Sequence, residues 1–269
     1  MAANNDAQIW GVMAASGSGK GLWIKAFLAR EKPARLVVWD YKNEYEEHAP
    51  PLVSSLEALR LAMKKAGSGG LRIRYKCKPG TNVKQTMAEF EGVCRLVQAW
   101  KKCVFIAEEL SNVTTPGWAP AAWREMSTGG RHEQVHIIGV AQNPALIDKT
   151  FLSNCTLIHV GPLREFRHRQ AVARSMDIPV QMVTDLVQFQ WVERDHNNRE
   201  LREGWTYPPG FKAETAKTAP AKAPEIAPRR REPSGRATGT DKGGQAKGGR
   251  VKSPPSKPAT NQPNRSNPK

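Results

Sequence analysis

Between residues 8 and 193, short apolar runs alternate with helix-like segments, and this alternation limits the possible folds more than any other feature of the chain. The runs at 8–13, 36–40, 71–76, 103–107, 135–140, 156–160 and 188–193 are mostly β-branched or aliphatic and too short for helices, so they read as strands. Segments 21–30, 55–66, 83–101, 119–129, 145–153, 163–175 and 180–186 carry helical patterning. Several have a Ser, Thr or Asn at the start, such as Ser54 and Asn82, and the turns hold Gly or Pro. Strands that are apolar almost throughout must be covered on both faces. Alternation with helices then predicts an α/β domain around a mainly parallel sheet. No internal repeat is visible. We expect one α/β domain over residues 1–211 and a separate tail over 212–269.

The tail is set apart by composition. Residues 212–269 hold 14 Lys or Arg against 4 Asp or Glu, which is +10 of the chain's net +16, and no aromatic residue follows Phe211. Such a segment buries too little apolar surface to offset a backbone ordering cost of roughly 1–2 kcal/mol per residue, so it is expected to be disordered. A solvated polycation attracts polyanions, and nucleic acid is the natural partner; a plain solubilising linker is the alternative. Cys77, Cys94, Cys103 and Cys155 form no CxxC pair and no Cys/His cluster, which fits free thiols in a reducing setting. No signal peptide is evident, and no apolar run approaches the roughly 18–20 residues needed to span a bilayer, so a soluble protein is expected.

The first expected strand runs into "ASGSGKG". In a parallel sheet, ligands gather at the carboxyl ends of the strands. Glycines there let successive backbone N–H groups converge on phosphate oxygens, the next helix offers its positive end, and a lysine reaches the terminal phosphates. Ala14, Ala15, Ser16, Gly17, Ser18, Gly19, Lys20 and Gly21 fill the eight positions of the Gly-x4-Gly-Lys-Ser/Thr pattern. Two of them depart from it. Ala14 replaces the first glycine, which is mild if its φ stays negative. Gly21 replaces the hydroxyl that holds Mg²⁺, and weaker metal and nucleotide binding is expected, since Mg²⁺ takes other ligands from water and phosphate. The plain alternative is a Gly/Ser linker between strand and helix.

The expected strand in "KKCVFIAEEL" ends in Glu108 and Glu109. By position Glu108 would orient Mg²⁺ through water, and Glu109 would act on the attacking water as general base. Otherwise they are surface glutamates at a helix start. The strand in "HIIGVAQNP" ends in Gln142, whose amide can hydrogen-bond a γ-phosphate or serve only the turn. In "STGGRHEQ", Arg131 follows two glycines; it either reaches a neighbouring subunit's nucleotide to stabilise transition-state charge or is merely solvated.

Four segments together resemble the FtsK/HerA branch of P-loop ATPases, particularly the genome-packaging ATPases of membrane-containing bacterial viruses: "ASGSGKG", "VVWDYKNEY", "VFIAEEL" and "TGGRHEQVHIIGVAQNPALIDKTFLSNCTLIHVGPL". They cover most of residues 8–163. The resemblance implies a RecA-like core that binds ATP and Mg²⁺, assembles into a ring, expected to be a hexamer, and hydrolyses ATP to move double-stranded DNA. Arg131 would then be the finger acting in trans and Gln142 the sensor; Asp40 and Glu44 fall in an acidic segment beside the nucleotide. A capsid portal or vertex protein is the implied further partner, in the bacterial host cytoplasm or at the packaging vertex of the virion. "REFRHRQAVAR" adds either a positive helix face near the channel or an ordinary solvated face. Two other functions fit the same residues. One is a phage assembly or secretion ATPase of the filamentous-phage type. The other, favoured by Gly21, is a nucleotide-binding nucleic-acid assembly factor without hydrolysis.

Overall fold

The computed structural model describes residues 7–129, 133–209 and 211. The expected tail at 212–269 lies outside the described residues, as does Arg131. The first half of the chain gives β1 (Ile9–Met13), α1 (Lys20–Glu31), β2 (Arg35–Trp39), β3 (Leu52–Val53), α2 (Leu56–Ala66), β4 (Leu71–Tyr75), α3 (Val83–Trp100) and β5 (Cys103–Ala107). The second half gives α4 (Ala121–Gly129), β6 (Val135–Ala141), α5 (Lys149–Asn154), β7 (Leu157–Val160), α6 (Phe166–Met176), α7 (Val180–Thr184), β8 (Gln190–Asp195) and β9 (Glu200–Trp205). Short 3-10 turns occupy Leu110–Asn112 and Pro144–Leu146.

All the strands join one sheet in the order β3-β4-β2-β5-β6-β1-β7-β8-β9. From β3 to β7 the pairs are parallel; β8 and β9 run antiparallel at one edge. This is the mainly parallel α/β architecture of a RecA-like core. Both faces are covered, which explains why the central strands lack polar alternation. On one face Val12, Leu36, Val38, Ile106, Ile138 and Val140 pack against Ile24, Phe27 and Leu28 of α1. The opposite residues of the same strands, among them Met13, Val37, Trp39, Phe105 and Ile137, meet α2 through Leu59 and Met63 and α3 through Phe90, Val93 and Val97. Cys94, Cys103 and Cys155 are buried free thiols, while Cys77 is partly exposed.

Local chemistry explains where the elements start. Asn82 and Gln85 form a reciprocal cap at the head of α3. Ser55, one residue past the expected Ser54, accepts the Ala58 N–H at 3.2 Å and starts α2. The expected helix at 145–153 is divided, because Asp148 takes a non-helical conformation and caps the N–H groups of Thr150 and Phe151, a contact of about 1 kcal/mol. The strand expected from 188 begins at 190, because Phe189 stands at φ +68° and breaks the extended chain. The hairpin strand β9 was not expected: "ELREGW" offers too little apolar alternation, and its residues are half-exposed or exposed.

Candidate active site

The loop after β1 lies at the carboxyl end of the parallel strands and is fixed by its own backbone. Ala15 N–H donates to the Pro162 carbonyl at 2.8 Å, and Ser18 N–H turns back to Ala15 O at 3.3 Å. Gly17 and Gly19 have φ of +76° and +95°, conformations open to glycine and strained for other residues. Ala14 does not share that conformation, so its methyl is tolerated on the backbone. Room for it comes from Gly161 at the end of β7, where an added Cβ would stand 3.0 Å from the Ala14 Cβ. The first departure from the glycine pattern is therefore matched by a glycine on the neighbouring strand.

Gly21 has open space on its side-chain face. The nearest atom to a Cβ built there is Glu44 Oε2, 3.8 Å away. A carboxylate oxygen thus stands close to where the missing hydroxyl would project. Asp40, fully buried, does not face the site in this way. It accepts the N–H groups of Glu44 (2.8 Å) and Tyr45 (3.2 Å) and shapes the loop that carries them, supported by Arg74 at 3.6 Å.

Glu108 and Glu109 leave the end of β5, next to β2 on one side and β6 on the other. Both are nearly buried. Glu108 Oε1 accepts the Tyr45 hydroxyl at 2.5 Å. Burial pushes the Glu108 carboxyl up to about 7, against the opposing pull of Tyr45 and Lys20. Burial and the Glu108 charge likewise raise Tyr45 well above its ordinary value, so Tyr45 keeps its proton and donates. Glu109 stands at φ +51°, a strained conformation of about 1–3 kcal/mol for a non-glycine residue. Its Oε1 accepts both the Gln142 amide, at 2.5 Å, and the Lys42 ammonium, at 2.6 Å.

Lys20, half-buried, is lowered from its ordinary value by burial and then by the Lys42 charge, while Glu108, Glu109 and Glu44 pull it up. Burial alone would lower Lys42 too, but its bond to Glu109 and the surrounding carboxylates leave it raised. The structure therefore brings Lys20, Glu108, Glu109 and Gln142 to one place around the loop from Ala14 to Gly21. It adds two residues the sequence did not single out, Lys42 and Tyr45. Both lie in "DYKNEY", but only the adjacency of β2 and β5 turns them toward the acids. In and just before α6, Arg169 is committed to the Leu163 and Arg164 carbonyls and Arg167 pairs with Glu165, while Arg164, Arg167 and Arg174 are exposed.

Two amines, two carboxyls and an amide next to a glycine loop can hold an oligophosphate and withdraw a proton from a water beside it. Among the described residues no group of three or more His, Cys, Asp and Glu side chains is arranged to hold a metal ion. The Glu108 carboxyl, buried with the Glu44 and Glu109 carboxylates acting on it, suits a hydrated divalent cation that draws its other ligands from phosphate and water. Among the described residues no helix is long and apolar enough to cross a membrane.

No established protein-family profile matches the chain. Protein P9 of Pseudoalteromonas phage PM2 is 30% identical over 179 residues, which span 65% of this chain and 78% of that protein. The genome packaging NTPase B204 of Sulfolobus turreted icosahedral virus 2, solved with ATP-gammaS, is similar in structure with a TM-score of 0.60 at 17% identity, over 76% of this chain and 100% of that one. VirB4 of Thermoanaerobacter pseudethanolicus has a TM-score of 0.54 at 13% identity, over 74% and 89%. At these identities the two solved structures speak for the shared fold.

Proposed function

The chain belongs to the FtsK/HerA superfamily of P-loop ATPases, in the branch of the genome-packaging ATPases of membrane-containing bacterial viruses, and from that premise we propose that it hydrolyses ATP to drive double-stranded DNA into a viral capsid. The observation that carries this reading is the grouping of Lys20, Glu108, Glu109 and Gln142 around one glycine loop. The loop amides and Lys20 bind the β and γ phosphates. Glu108, steadied by Tyr45, would hold Mg²⁺ through water. When bound, Mg²⁺ supplies positive charge to the phosphate oxygens.

Glu109 is the general base. Lys42 and Gln142 both occupy its Oε1, which leaves Oε2 for the proton of the attacking water. That water's oxygen bonds to the γ-phosphorus, the bond from the γ-phosphorus to the β,γ-bridging oxygen breaks, and ADP leaves with that oxygen. Gln142, joining Glu109 to the end of β6, is placed to register whether a γ-phosphate is present. Arg131 serves as a finger toward a neighbouring subunit in a ring, and the basic residues of 212–269 hold DNA or a component of the packaging vertex.

ATPase activity with and without double-stranded DNA tests the reading. We expect DNA-stimulated hydrolysis that Lys20→Ala abolishes; full activity in that variant overturns it. Removal of residues 212–269 should weaken DNA binding and flatten its salt dependence. A second reading is favoured by the Lys42–Glu109 ion pair, which ties up the base, and by Gly21: a nucleotide-binding assembly factor that does not hydrolyse. Stoichiometric ATP binding with no turnover in the presence of DNA would select it.

A further inference from the structure

Sheet order gives the nucleotide a direction. β5 and β6, with Glu108, Glu109 and Gln142, lie on one side of β1; β7, β8 and β9 lie on the other. A triphosphate with its γ end at the acids therefore extends its nucleoside toward β7–β9. Because β8 is antiparallel to β7, with Val160 opposite Val192, the start of β8 lies at the same sheet end as the glycine loop. Gln190 pairs with Trp205, so the end of β9 returns there as well.

Four aromatic residues gather at that place. Trp205, Tyr207 and Phe211 form a stacked column, with ring centroids 5.6 and 4.9 Å apart, which occupies both faces of Tyr207. Phe189 meets Tyr207 and Phe211 in T-shaped pairs, at 6.2 and 5.3 Å, and among the described residues no ring lies stacked on it. None of the four belongs to either buried core cluster, and each is partly exposed. The group is tied to the loop: Gln188 Nε2 donates to Gly17 O at 3.3 Å, and a Cβ on Gly19 would stand 3.3 Å from the Phe189 ring. Phe189 holds φ +68°, an outlier for a bulky side chain, and its carbonyl accepts Thr206 N–H at 2.9 Å.

We propose that Phe189, braced by Tyr207 and Phe211, is the stacking platform for the base of the bound nucleotide. This inference rests on the P-loop reading of the site. A π face recognises ring area, so purine triphosphates should bind more tightly than pyrimidine triphosphates.

The test is calorimetric titration of the full chain with ATP, UTP and inorganic tripolyphosphate, each with Mg²⁺. Tripolyphosphate has no base and reports the phosphate cradle alone. Phe189→Ala should weaken ATP about tenfold, the usual size of a lost base–aromatic stack, reduce the preference for ATP over UTP and leave tripolyphosphate unchanged. Phe189→Trp should keep ATP affinity at or above that of the natural protein. Unchanged ATP binding in Phe189→Ala overturns the platform. So does an equal loss of ATP and tripolyphosphate, because Phe189 would then only prop the loop. If the natural protein binds neither ATP nor tripolyphosphate, the P-loop reading itself falls, a result distinct from both.

Discussion

The two flanks of the glycine loop are built from opposite materials. Toward β5 and β6, nearly buried carboxyls meet a tyrosine, a lysine and an amide through short hydrogen bonds. Toward β8 and β9, partly exposed aromatic rings stack or meet in T-shaped pairs, and a side-chain hydrogen bond from Gln188 ties them to the loop. Both flanks hold strained non-glycine residues, Glu109 at φ +51° and Asn43 at φ +64° on the acid side and Phe189 at φ +68° on the other. The difference teaches a division of labour. Charged groups fixed in a low-dielectric place suit bond breaking, where small displacements matter. Apolar faces beside the loop suit grip, which tolerates adjustment.

The sharpest way to break this division is Glu109→Gln. On the acid flank it should lower turnover by about 10²–10⁴-fold, the usual contribution of a general base, with ATP affinity nearly intact. Single-turnover kinetics together with binding would show it, and an equal loss of affinity would mean that the flank also grips. A several-fold effect is expected from Gly21→Ser. Glu44 Oε2, 3.8 Å away, is the nearest atom to the added Cβ, so the hydroxyl fits, and the Mg²⁺ concentration for half-maximal hydrolysis should fall. An unchanged requirement would show that the missing hydroxyl is already replaced.

Lys42→Ala removes the ammonium at 2.6 Å from Glu109. Glu109 Oε1 then loses one of its two partners and is held less firmly, so turnover should fall a few-fold with ATP affinity nearly intact, as read from single-turnover kinetics together with binding. Unchanged turnover would refute the pairing. The remaining effect is on stability and not on turnover. Glu108 is raised from 4.5 to about 7, so between those values the native state keeps a proton that the unfolded chain has released. Stability contributed by that group is present at low pH and is lost as pH rises through the window. Glu108→Gln should flatten this fall, as read from urea unfolding between pH 4.5 and 8.

How legible the two flanks were in the sequence also differs. Glu108 and Glu109 stand at a strand end in a parallel sheet, and strand ends are marked by where an apolar run stops, while Lys20 heads α1 after a glycine loop that is legible as a pattern in itself. Gln142 follows the strand-end rule. Lys42 and Tyr45 do not, since they lie past the end of β2 and reach the acids only because β2 is the neighbour of β5. Phe189, Tyr207 and Phe211 were harder still. β9 lacks a strand pattern, and a break in extended structure at Phe189 cannot be foreseen from its side chain, which favours strands.

The sequence alone determined the fold class and the glycine loop, because apolar runs too short for helices must pair inside a covered sheet, and because successive glycines and a lysine at a strand-to-helix junction admit few other uses. Tertiary structure alone decided which strands are neighbours. That choice set Lys42 and Tyr45 against the acids, gave Ala14 its room beside Gly161, and brought an antiparallel aromatic edge to the loop. Side chains meet across a sheet by strand order, which the periodicity of a single segment does not encode.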